Sequence, residues 1–91
     1  MINIKEIQLV LRRMAQLIRE GGGIDWSIAL DKFADEIADD PGFVSAKILS
    51  TFGGIGSLND IVLYKGGQPL SKENVELDDL RARLYNLCHD Q

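Results

Sequence analysis

Ninety-one residues, 45% of them hydrophobic and 26% charged, with only two prolines, are enough for one domain around one modest core; this excludes a disordered tail, a repeat array and several domains. The formal net charge is −4, spread unevenly, with a balance of +2 over residues 1–24 and −5 over residues 25–42. An acidic stretch of that density repels a phosphate backbone, which argues against nucleic acid and for a basic protein surface as partner.

In chain order, Ile4, Ile7, Val10, Leu11, Met14, Leu17 and Ile18 recur at helical spacing and predict a first helix from Asn3 to Glu20. Asn3 is its expected cap, and Gly21-Gly22-Gly23 its terminator. Ile2 and Leu9 lie off the stripe and offer a surface for self-association. A second helix is expected from Asp25, as cap, to Asp39, with Trp26, Leu30, Phe33 and Ile37 on one narrow face. Asp31, Asp35 and Asp39 then form an acidic row on another face: a solvated surface or a contact for a basic partner.

Asp40-Pro41 starts a third helix, capped by Asp40 and reaching about Phe52, because proline suits a first helical turn and blocks the helix before it. The glycines at 53, 54 and 56 break that helix, and Ser57 is expected to cap a short helix through Asp60. Ile61-Val62-Leu63-Tyr64 is too short a run to assign by period; a small hairpin between 61–64 and 68–70, turning at Lys65–Pro69, is the alternative to a helix. The last helix runs from Lys72 to His89 with Ser71 as cap and Leu77, Leu80, Leu84, Leu87 and Cys88 as its buried stripe. Acidic residues crowd its first half and Arg81 and Arg83 its second, as the helix dipole favours. The expectation is a mainly all-α fold: a compact bundle of four to five helices with an irregular glycine-rich segment.

The candidate chemistry is sparse. Cys88 is the only cysteine and His89 the only histidine, and neighbours on a helix point about 100° apart, so neither a nucleophile pair nor a zinc site is expected. The carboxylate row spans more than a helical turn and does not converge on a cation, so no metal or cofactor is expected. The segment from Phe52 to Asp60 is the most distinctive. Its glycines leave amides bare before a helix start, which suits an anion, yet it carries neither a dinucleotide fingerprint nor the lysine of a P-loop. A sharp turn held by Asn59 and Asp60 is the plainer reading, and contact with a partner lies between the two.

Residues 24–64 resemble a family of small bacterial proteins of uncharacterised function. The likeness rests on Trp26, on the string Phe52, Gly53, Gly54, Gly56, Ser57, Leu58, Asn59 and Asp60, and on the apolar Ile61-Val62-Leu63 that follows; Ile55 stands where the family carries methionine. The resemblance implies a helical domain with this segment as its hallmark and brings no activity with it.

The sequence therefore points to a protein-binding module without catalytic activity, in its most specific form an immunity or antitoxin-like protein that neutralises a basic bacterial toxin. Its expected contact residues are Asp31, Asp35, Asp39, Gly54, Ser57, Asn59 and Asp60. The alternatives are a small-ligand or enzymatic domain using the loop at 53–60, which requires a concave pocket beside that loop, and a structural protein that dimerises through the first helix. The N-terminus lacks the layout of a signal peptide and no run is long and apolar enough to cross a bilayer, so the cytoplasm is the expected location.

Overall fold

The amphipathic stripe of the first segment does what its spacing demands. In the computed structural model, which describes residues 2–53 and 56–89, helix α1 spans Ile4–Glu20. Asn3 caps it: its side-chain oxygen accepts the Glu6 amide at 3.1 Å. Ile7, Leu11, Met14 and Ile18 are fully buried along one side. Each apolar side chain of this size contributes about 1.5–3 kcal/mol on leaving water.

The helix closes at Gly22, whose φ of +92° is a backbone shape costly for any other residue, and the Gly23 amide returns to the Ile18 carbonyl at 2.8 Å. Gly21 is needed for a different reason. A Cβ there would lie 2.7 Å from Leu63 Cδ2, so the missing side chain lets the turn dock against the later irregular segment.

Helix α2 spans Ile24–Glu36. Its cap is Gly23, whose carbonyl accepts the Ser27 amide, and Asp25 stands inside the first turn instead of capping it. The helix also stops short of the expected Asp39, and the chain turns through residues 37–39. Leu30, Ala34 and Ile37 are buried, while Trp26 and Phe33 are half-buried against the core. Asp40 caps α3 (Pro41–Ser50) by accepting the Phe43 amide.

A single 3₁₀ turn (Leu58–Asp60) precedes two short strands, β1 (Tyr64–Lys65) and β2 (Gln68–Pro69), paired antiparallel with Tyr64 opposite Pro69. A hairpin forms, but it is shorter than expected: of the ambiguous stretch only Tyr64 joins it, residues 61–63 are irregular, and the turn narrows to Gly66-Gly67. Gly66 and Gly67 supply the two positive φ angles, +60° and +79°, that a tight two-residue hairpin turn requires. Proline is tolerated opposite Tyr64 because that pair exchanges no hydrogen bond in this register.

Helix α4 (Ser71–His89) follows. Its ladder opens on the Leu70 carbonyl, which accepts the Asn74 amide, so Ser71 is the first helical residue rather than the cap.

The helices form an all-α bundle. Helix α1 packs against α2 and α4, and α3 packs against both of those. Gln8 bonds the Ala34 carbonyl while Arg19 bonds Asp31, so α2 runs antiparallel to α1; Arg13 bonds Glu76 while Gly21, past the end of α1, lies against Leu63, which Asn74 near the start of α4 holds, so α4 does too. Leu58 and Leu63 anchor the irregular segment in the same core.

Candidate functional site

The acidic row is turned largely inward, onto α1. Asp31 accepts from Arg12 Nη1 at 3.0 Å and from Arg19 Nη2 at 2.7 Å, and Arg12 Nη2 pairs with Asp35. The hydrogen bond that Arg12 donates to Asp35, then that to Asp31, raises the Arg12 pKa further above its ordinary value. Two arginines against two carboxylates leave this seam close to neutral. Asp39 does not join it: α2 has ended, and Asp39 stands exposed in the following turn.

Between α3 and the hairpin the described chain has only a single 3₁₀ turn to satisfy its backbone. Local contacts meet part of that demand. Asp60 accepts the Gly56 amide at 2.7 Å, and the Leu58 amide returns to the Thr51 carbonyl at 2.9 Å. Ser57 does not cap the 3₁₀ turn; its hydroxyl is buried and makes no hydrogen bond. Gly54 lies outside the described residues, and so does the heart of the proposed anion cradle.

Helix α4 supplies the rest. Asn74 grips Leu63 at both ends, accepting its amide at 2.7 Å and donating to its carbonyl at 3.1 Å. Arg81 donates from Nη1 to the carbonyls of Leu58 at 3.0 Å and Ile61 at 2.9 Å, while Nη2 pairs with Asp78.

These hooks leave an open pocket of about 480 Å³ between the loop and α4, lined by Phe52, Asn59, Asp78, Arg81, Ala82, Tyr85 and Asn86. Phe52 and Tyr85 meet edge to face, ring centroids 5.5 Å apart at 74°, and His89 stacks on Tyr85 from beyond at 5.6 Å. Asn59 and Asn86 are exposed at its rim. The concave surface that the loop hypothesis requires is therefore present, and Phe52 and Asn59 are shared by the distinctive sequence segment and the pocket. Asn74, Arg81, Tyr85 and Asn86 carry no comparable mark in the sequence.

Other candidates are placed apart. Cys88 is buried with its thiol against Ser45; burial pushes its pKa up to about 11, with the Ser45 hydroxyl pulling the other way. Among the described residues no group of three His, Cys, Asp or Glu side chains is placed to hold a metal ion, and no helix is long and apolar enough to cross a membrane. Leu9 is 65% exposed above a groove between α1 and α4, where Glu6, Arg13, Glu76 and Arg83 put charge around it.

A family model described as a domain of unknown function (DUF6966) matches residues 19–71, more than half of the chain, from the end of α1 through the hairpin. No curated protein and no solved structure matches.

Proposed function

The chain belongs to the DUF6966 family, and we propose that it is a protein-binding module that meets its partner at the pocket between the glycine-rich loop and α4. The observation that carries this reading is the pocket's make-up. It is open, lined by two aromatic rings and two side-chain amides, and its one cation among the described residues is already committed to two backbone carbonyls and a carboxylate. Such a surface suits binding, since buried aromatic anchors carry much of the energy of protein interfaces.

The narrower version is an immunity or antitoxin-like protein of bacterial origin, in the cytoplasm, that neutralises a basic toxin. The overall charge of −4 supports it through long-range attraction. Because Arg12 and Arg19 balance Asp31 and Asp35, the acidic excess offered to such a partner lies at positions such as Asp39, Asp60 and Asp79, all exposed.

Affinity capture from lysate of the source organism tests this reading, with the Asn59→Ala/Asn86→Ala variant as comparison. A stoichiometric partner retained by the parent chain and lost by the variant is expected. Equal capture by both forms would remove the pocket from the interface. A small-molecule ligand is the second reading, favoured by the same cavity; a thermal shift with a metabolite and no protein partner would select it.

A further inference from the structure

We propose that the pocket receives an extended, basic peptide segment carrying one large aromatic side chain, an inference that rests on the protein-binding reading above. Its volume of about 480 Å³ has room for one side chain and the peptide groups flanking it.

Three features select this occupant. The first is the ring geometry. Phe52 and Tyr85 already stand edge to face, and Tyr85 is 42% exposed, so an entering ring extends the cluster in the arrangement aromatic side chains prefer.

The second is the rim. The side-chain amides of Asn59 and Asn86 have no hydrogen-bond partner among the described residues. Each offers both a donor and an acceptor, which is the complement of a peptide group.

The third is charge. Arg81 faces inward with 12% of its side chain exposed, whereas the Asp78 side chain is 66% exposed and Asp60, next to Asn59, is exposed too. Solvent around the pocket therefore meets carboxylates. A nucleotide would bring its phosphate against them with no free cation among the described lining residues to receive it, while lysine or arginine beside the aromatic anchor is attracted.

The test is a titration of the ¹⁵N-labelled chain with Ac-Lys-Trp-Lys-NH₂, followed by amide shifts. Saturable changes at Phe52, Asn59, Arg81, Tyr85 and Asn86 are expected. Ac-Lys-Leu-Lys-NH₂ should bind roughly tenfold more weakly for want of the ring contacts. Ac-Glu-Trp-Glu-NH₂ should bind at least about threefold more weakly, the gap narrowing with salt. Asn59→Ala/Asn86→Ala should weaken the tryptophan peptide about tenfold while leaving the fold intact, because neither side chain bonds to another described residue.

Equal binding of the leucine peptide, tighter binding of adenosine monophosphate, or no saturable shift would each overturn the inference. If the peptide fails while protein capture still depends on Asn59 and Asn86, the inference falls and the protein-binding reading stands. If capture is indifferent to both asparagines, that reading falls as well.

Discussion

The seam between α1 and α2 and the seam between the glycine-rich loop and α4 solve the same problem in opposite ways. In the first, two regular helices satisfy their own backbones, so their side chains are free to interdigitate. The polar groups left over, Arg12, Arg19, Asp31 and Asp35, pair along the solvent edge. In the second, the irregular chain from Gly56 to Leu63 has no ladder of its own, and α4 spends Asn74 and Arg81 on its backbone. A long polar side chain bridging to a loop cannot close the space as an apolar one does, and the room left beside Arg81 is the pocket. A site appears where the backbone is irregular, because satisfying that backbone costs packing.

The largest effect should come from the core that underlies both seams. Leu11, fully buried on α1, should cost about 2–5 kcal/mol on replacement by alanine. Urea denaturation should show one weakened cooperative transition, since the core is common; two separated transitions would break the comparison by showing independent halves.

Next is Asn74→Ala, which leaves a part-buried amide and carbonyl of Leu63 without that partner. A loss of about 1–3 kcal/mol is expected, with faster hydrogen exchange concentrated at the Leu63 amide and the hairpin.

Arg12→Ala on the other seam should cost no more than about 1 kcal/mol, since the arginine side chain is 47% exposed, and the loss should shrink further in high salt. If Arg12→Ala cost more than Asn74→Ala, the assignment of the two seams would be reversed.

The smallest effect is a pH dependence at the α1–α4 contact. The Arg13 hydrogen bond holds the Glu76 carboxyl below its ordinary range. A lowered folded pKa means that this stabilisation is present above the unfolded value, near 4.5, and is lost as the pH falls through the folded one. Both side chains are about two-fifths exposed, so solvent screens the pair. Thermal melts of Glu76→Gln against the parent chain should therefore converge slightly below pH 4.5 and differ slightly above it.

Elements built from periodicity are legible in the sequence. The stripes of α1 and α4 and the caps Asn3 and Asp40 are local patterns that tertiary context leaves in place. Asp25, Ser57 and Ser71 show the limit of cap reading: a polar residue near a helix start is a candidate, but the residue whose carbonyl opens the ladder depends on how the preceding turn is docked. At the α1–α2 turn that docking is set by Gly21 against Leu63, 42 residues along the chain. The hooks made by Asn74 and Arg81 join residues 11 to 23 apart and follow no repeat, so nothing local announces them. The ion pairs of the first seam left a trace: a +2 stretch joined by three glycines to a −5 stretch implies that antiparallel neighbours will neutralise each other. Read as a free surface, the acidic row conceals that bookkeeping.

The pocket's two walls come from different parts of the chain. Phe52 and Asn59 lie within the span matched by the family model; Asp78, Arg81, Tyr85 and Asn86 lie beyond it. A chain that kept the first wall and carried a different closing helix would present the same jaw against a new one. Recognition could then diverge without rebuilding the scaffold, provided the exchanged helix still offered two groups able to hold the loop at Leu63 and at Leu58.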